Sequence, residues 1–199
     1  MIMDKPIEKV DICERGILMK KLVCVCLSLA LLVSLAACAA EETPEQRIER
    51  VMTEIFTCPD AGTLAYTAVI QKNLSAFGDD SAQAEMLMAQ EALGNYLREK
   101  YSAADFTEAM YDGLYIYLYS GLIFPTVCAM DGIEIVPKSV SVELESASSR
   151  TYRYTAELEV KKDGGTVAVK QTGKAQVDGE GRISSFRLTG SALYDVILG

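Results

Sequence analysis

Residues 152–160 read Tyr-Arg-Tyr-Thr-Ala-Glu-Leu-Glu-Val, and the fold class follows from their pattern. The side chains at even positions are apolar or aromatic, whereas those at odd positions are polar or charged. Because successive side chains of a strand point to opposite faces, the alternation predicts a strand with one face in the core and the other in solvent.

The period of two continues on both sides of this strand. It recurs over residues 139–145, 167–177 and 183–188, and glycine-containing turns at 162–165 and 178–181 separate the later segments. Short turns between consecutive strands are typical of antiparallel pairing. The second half of the chain is therefore predicted to form a four-stranded antiparallel meander.

The first half of the chain has a helical period instead. Thr43, Pro44 and Gln46 match a capping box with proline at the first helical position. The predicted helices cover residues 44–56, 61–76, 82–101 and 102–121. The second has Tyr66, Ile70, Leu74 and Phe77 on its apolar face. The fourth is apolar nearly all round, which is typical of a central, buried helix. About four helices followed by strands predict an α+β fold with the helices packed on the meander.

An uncharged apolar segment precedes the domain. It runs from Leu22 to Ala40 directly after Lys20 and Lys21, which is the pattern of a secretory signal. Residues Leu35-Ala36-Ala37-Cys38 at its end resemble the lipobox of bacterial lipoproteins. The resemblance implies that Cys38 receives a diacylglycerol and becomes the new N-terminus after cleavage. The alternative, a permanent transmembrane helix, needs about 18 apolar residues, a length reached only by counting the weakly apolar alanines at the end.

These features predict four parts along the chain. Met19-Lys20-Lys21 is the expected start of a signal peptide, so residues 1–18 are interpreted as an upstream extension that does not belong to the protein. Residues 19–37 are then the signal peptide, 38–43 the lipidated tether and 44–199 a single α+β domain. The expected location is the extracytoplasmic face of the cell membrane, with the lipid at Cys38 as the membrane contact.

The order of elements, helices before a curved antiparallel sheet, resembles NTF2-like (cystatin-like) domains across residues 61–199. The resemblance implies a pocket between helices and sheet, and it implies that an enzyme of this type would pair an acidic base with a tyrosine. The candidate pocket residues are Asp112, Tyr115, Tyr119 and Phe124. Asp112 and Tyr115 are three positions apart, so they share a face of the predicted helix.

Composition excludes several other classes of site. The chain has no histidine and no tryptophan, which removes histidine-based triads and histidine metal sites. No phosphate-binding glycine loop occurs, and neither a metal site nor a cofactor is expected. Residues 38–132 carry five basic and fifteen acidic side chains, a net charge of 5 − 15 = −10. Such a surface repels nucleic acid, so no nucleic-acid partner is expected.

Two cysteines remain in the predicted domain, Cys58 and Cys128. Outside the cytoplasm they could form one disulfide that closes a long loop. Two buried free thiols fit the sequence equally well, since spacing alone does not show whether the side chains meet.

Two classes of function fit these observations. The first is a non-catalytic module that binds a small apolar ligand or an envelope protein while it is tethered to the membrane. The alternative is an NTF2-like enzyme of lyase or isomerase type that uses Asp112 and a tyrosine.

Overall fold

The computed structural model describes residues 42–76 and 78–199. The predicted upstream extension, the signal peptide, the lipobox with Cys38, most of the tether and Phe77 lie outside the described residues. Residues Thr43–Gly199 form one compact unit. Its helices are α1 Pro44–Phe56, α2 Ala61–Asn73, α3 Asp80–Lys100, α4 Glu108–Asp112, α5 Phe124–Asp131 and α6 Ala192–Leu198; its strands are β1 Glu134–Ser146, β2 Thr151–Lys162, β3 Gly165–Val177 and β4 Ile183–Thr189.

The fold is α+β, with helices followed by a single antiparallel sheet in the order β1-β2-β3-β4. The predicted meander is therefore confirmed. Along β2 the side chains at 152, 154, 156, 158 and 160 are all buried, as the alternation predicted. The strand β1 lies at the edge of the sheet and contains two register shifts. The alternation over residues 139–145 places Val140 and Leu144 on the same face, but Val140 is buried whereas Leu144 is 50% exposed.

Helix α1 covers the inner face of β1 and β2. The capping box is present: the Thr43 side chain accepts a hydrogen bond from the backbone of Gln46, and the Gln46 side chain accepts one from the backbone of Thr43. The buried face of α1 packs into the core with Ile48, Val51, Met52, Ile55 and Phe56. Burial of such a stripe is the main stabilising contribution of an amphipathic helix.

Helices α2 and α3 form a hairpin beside this core. Helical spacing places Met86, Ala89, Leu93, Leu97 and Tyr101 on one face of the third helix. Leu93, Leu97 and Tyr101 are buried, whereas Met86 and Ala89 are half-buried. The predicted apolar face of α2 is only partly buried: Tyr66 and Ile70 are half-buried and Leu74 is 55% exposed. The fully buried side chains of α2 are Thr63, Thr67 and Asn73. The buried hydroxyls are tolerated because they are hydrogen-bonded, for example Thr67 Oγ1 to the carbonyl oxygen of Thr63 at 2.9 Å.

The predicted fourth helix is broken. Residues 103–105 form a 3-10 turn, α4 is only five residues long, and Ile116–Gly121 is a π-helix. The break occurs where Phe106 bridges Ile183 of β4, and the Thr107 amide donates to the Ile183 carbonyl oxygen at 3.0 Å. A sheet-type bridge at this position competes with the helical hydrogen bonds, so the chain cannot continue as one α-helix.

Asp105, at the start of this segment, is buried in an ion pair. Its carboxylate accepts hydrogen bonds from the guanidinium of Arg50 at 2.6 and 3.1 Å. This bidentate geometry ties the segment to α1.

The C-terminal helix α6 was not predicted. Its first turn is held by Gln171, which is fully buried on β3 and accepts a hydrogen bond from the Leu193 amide at 2.9 Å. The Gln171 amide nitrogen in turn donates to the Thr189 carbonyl oxygen at 3.0 Å. One buried side chain therefore joins β3, β4 and α6.

Candidate functional site

A cavity lies between α2 and α3. It is a half-open groove of about 340 Å³. The side chains on its walls are mostly small, so the two helices leave space between them instead of packing closely. The lining consists of Ala61, Gly62, Ala65, Tyr66, Val69, Ala89, Ala92, Leu93 and Tyr96.

One end of the groove is closed by a close approach of the two helices. A Cβ atom added to Gly62 would lie 2.2 Å from Cδ1 of Tyr96, so only glycine fits against this ring. The Tyr96 ring therefore forms an end wall, and Gly62 fixes its position.

The two helices also carry exposed apolar side chains. Leu64 on α2 is 47% exposed, and Leu87 and Met88 on α3 are 67% and 70% exposed. No side chain with a formal charge lines the groove itself. The groove therefore suits an uncharged, mainly apolar molecule, because a buried charge on the ligand would meet no compensating partner.

Tyr66 joins the groove to a cluster of three tyrosines. Its ring centroid lies 6.3 Å from that of Tyr115 and 6.2 Å from that of Tyr119, and the latter two rings stack at 5.6 Å. The hydroxyl oxygens of Tyr66 and Tyr115 are 3.1 Å apart. At these separations the rings contact one another, so the cluster is a packed wall and not a cage for a cation.

The hydroxyls of Tyr115 and Tyr119 stay protonated at neutral pH. Burial, and then the hydrogen bond to Tyr66, raises the pKa of Tyr115. Burial likewise raises the pKa of Tyr119 above its ordinary value, although the hydrogen bond with Thr63 opposes this.

A polar network lies behind the cluster, at the N-terminus of α2. Asp60 caps this helix: it accepts hydrogen bonds from the amide and hydroxyl of Thr63 at 2.8 and 2.7 Å, and one from Nζ of Lys100 at 2.7 Å. The Thr63 hydroxyl is also 2.6 Å from that of Tyr119. Burial by itself would raise the pKa of Asp60, but the hydrogen bonds from Lys100 and Thr63 outweigh it and the pKa is lowered.

The cavity at this network is too small for a substrate. Its volume is about 10 Å³, close to the space of a single water molecule. The network therefore fixes the orientation of α2 and Tyr119.

The structure separates the four candidate pocket residues. Tyr115 and Tyr119 lie together in the tyrosine cluster. Phe124 is fully buried in the core, where its ring stacks on Phe56 at a centroid distance of 5.8 Å. Asp112 is exposed, and its carboxylate has neither a hydrogen-bond partner nor an ion-pair partner among the described residues. Tyr115 pairs with Tyr66 and not with Asp112.

Cys58 and Cys128 are both buried and are present as free thiols. The neighbouring Cys128 thiol, followed by burial, raises the pKa of Cys58. Across residues 42–76 and 78–199, no group of three or more metal-ligating side chains comes together.

Sequence reasoning missed the groove itself. The sequence feature that could have indicated it is a set of small residues on the two facing helices: Ala61, Gly62 and Ala65 on α2, and Ala89 and Ala92 on α3. Small residues predict either close packing or an open groove, and only the distance between the helices decides which.

None of the helices in the described part of the chain has the length and apolar character needed to cross a membrane. Comparison of the chain with protein-family models, curated proteins and solved structures finds no match. The site is therefore interpreted from its own geometry and chemistry.

Proposed function

We propose that this chain is a bacterial lipoprotein, anchored at the extracytoplasmic face of the cell membrane by a lipid on Cys38, whose domain binds a small apolar ligand without catalysing a reaction. The proposed location at the membrane is supported by three features of the N-terminal sequence: Lys20 and Lys21, the uncharged segment after them and the lipobox-like residues 35–38. The binding function is supported above all by the apolar groove between α2 and α3.

The groove defines the chemistry of the ligand. Its volume of about 340 Å³ lies at the lower end of the usual range for small-molecule sites. The walls are aliphatic and aromatic, and the hydroxyls of Tyr66 and Tyr96 are the polar side-chain groups of the lining residues. A ligand with a compact apolar body and at most one or two uncharged polar groups fits this lining best.

A lyase or isomerase activity has less support. That alternative depends on an acidic base beside a tyrosine in a dry pocket, whereas Asp112 is exposed and the tyrosine hydroxyls bond to one another or to Thr63. The NTF2-like relationship remains a proposal supported by the order of helices and strands, and a shared fold would not by itself assign an activity.

Replacement of Ala65 by phenylalanine is expected to block the groove. The larger side chain would occupy the space between α2 and α3, so the dissociation constant of an apolar probe should rise at least tenfold, which corresponds to about 1.4 kcal/mol. The measurement is a fluorescence titration with N-phenyl-1-naphthylamine, an uncharged apolar dye. Thermal unfolding followed by circular dichroism checks that the variant is folded.

Ala68→Phe is the matched control. Ala68 is exposed on the same helix but does not line the groove, so its replacement should leave probe binding unchanged. If the original domain fails to bind the probe, or if Ala65→Phe binds as tightly as Ala68→Phe, the groove is not the ligand site and an envelope protein becomes the better candidate partner.

A further inference from the structure

The two buried cysteines belong to different elements that come together in the core. Cys58 follows α1 and pairs with Ile135 of β1 through two backbone hydrogen bonds of 3.2 and 2.7 Å. Its thiol donates to the carbonyl oxygen of Pro125 at 3.7 Å, and Cys128 lies three residues further along α5. Cys58 is 4% exposed and Cys128 is fully buried. The two thiols therefore lie near each other inside the core, on two different elements.

Burial makes these thiols slow to react in the folded protein. A thiolate is the species that attacks a disulfide, and the attacking and leaving sulfurs must be accessible. The surroundings of Cys58 favour its protonated form, and little of either side chain reaches solvent. Exchange with an external reagent must therefore precede burial.

We propose that Cys58 and Cys128 form a disulfide while the chain folds outside the cytoplasm, and that burial then preserves the redox state in which the chain folded. The proposal rests on the extracytoplasmic address proposed above, because a disulfide forms and persists in an oxidising compartment. The oxidant is another disulfide, either that of a thiol oxidase or a small-molecule disulfide. One cysteine attacks it to give a mixed disulfide, and the second cysteine displaces the remaining thiol. One S–S bond forms and one breaks, the two cysteines lose two electrons, and both protons end on the two thiols released by the oxidant.

The cross-link would enclose the ligand groove. Helices α2 and α3, which form both walls, lie between Cys58 and Cys128 in the chain. The bond ties together the two ends of this segment, at the loop before α2 and at α5. In the chain-entropy description, closing a loop of this length raises the melting temperature of a domain of this size by roughly 10 °C.

The test begins with the full chain exported in a bacterial host. Thiols are trapped with iodoacetamide at harvest under denaturing conditions, and the tryptic peptides are analysed by mass spectrometry. The expected result is that the peptide of residues 51–72 is linked to the peptide of residues 101–138, with the loss of two hydrogens relative to the two thiol peptides. The Cys128→Ala variant should yield no such pair.

A second part of the test asks whether the two thiols can form the disulfide at all, independently of where the protein is located in the cell. The same full chain is reduced in urea and then refolded in detergent, with oxidised glutathione added either during or after refolding. We expect the linked pair only when the oxidant is present during refolding, and we expect this form to melt roughly 10 °C above the reduced form.

The outcomes distinguish the two proposals. Absence of the linked pair after oxidative refolding, or no gain in melting temperature, would overturn the disulfide whatever the location of the protein. Rapid oxidation after refolding would overturn the locked redox state. A pair that forms on refolding but is reduced in the harvested chain would confirm the geometry and overturn the extracytoplasmic address.

Discussion

Replacement of Phe124 by alanine is expected to lower the free energy of unfolding by roughly 3–5 kcal/mol. The side chain is fully buried and stacks on Phe56, whose ring also packs edge-on against Tyr154 at 6.3 Å. Removal of the ring forfeits its transfer free energy and leaves a cavity that this close-packed neighbourhood can fill only in part. Urea denaturation of residues 43–199, which form a compact unit, measures the loss.

The adjacent residue provides the control. Ile123 is 42% exposed and has a positive φ of 51°, a conformation that is costly for a β-branched side chain. Ile123→Ala should therefore be neutral or slightly stabilising. A loss below about 1 kcal/mol for Phe124→Ala would mean that Phe124 borders a solvent-filled pocket, as its sequence position had suggested.

Replacement of Gly173 by alanine is expected to be nearly as damaging, with a loss of about 3 kcal/mol. Gly173 lies opposite Tyr154 in the β2–β3 pair, and an added Cβ would come within 2.0 Å of Cζ in the buried Tyr154 ring. The ring cannot move aside easily, because its hydroxyl donates to the Arg187 carbonyl oxygen at 3.0 Å. The methyl group would therefore force the ring off this position or separate the strands.

A second glycine of the same strand tests this explanation. An added Cβ at Gly165 would meet its nearest neighbour, the Lys162 carbonyl oxygen, at an ordinary 3.5 Å. Gly165→Ala should change the free energy of unfolding by less than about 1 kcal/mol, as measured by the same urea titration. Equal losses for the two variants would show that the effect is general to glycine on β3 and does not come from contact with Tyr154.

The sheet could be predicted from sequence because its signal is local. Along β2 every second residue is buried. Tight turns before and after β3 connect it to β2 and β4 and so set the order of the strands. Helix α1 could be predicted for the same reason, because its capping box and its apolar stripe indicate the same helix. Where propensity, capping and pattern coincide, the sequence predicts the element closely.

Several of the failures share a physical cause, which is hydrogen bonding to side chains and strands outside the segment itself. The segment from 102 to 121 looks helical, but the bridge between Phe106 and Ile183 interrupts it. Helix α6 depends on the buried Gln171, whose side chain accepts a hydrogen bond from the Leu193 amide, 22 residues further along the chain. On α2, Thr63 is buried because Asp60 and Tyr119 satisfy its hydroxyl. An apolar pattern cannot indicate any of these partners.

The candidate site was predicted only in part, for the same reason. The tyrosine-rich segment does supply Tyr115 and Tyr119, but the π-helix and the break before it turn Asp112 outward and leave Phe124 in the core. The groove arises from small residues on two helices, and its width depends on how α2 and α3 pack, which no single segment encodes.

The most direct test of the account is the intact mass of the full chain isolated from bacterial membranes, recorded under native and then denaturing conditions. The account predicts a denatured mass equal to residues 38–199 plus the lipid on Cys38. It also predicts an additional few hundred daltons under native conditions that are lost on denaturation, the expected size for a ligand that fills a groove at the small end of the range. A denatured mass that still includes residues 19–37, with no lipid, would contradict the lipoprotein assignment. A native mass equal to the denatured mass would contradict a bound ligand in the groove.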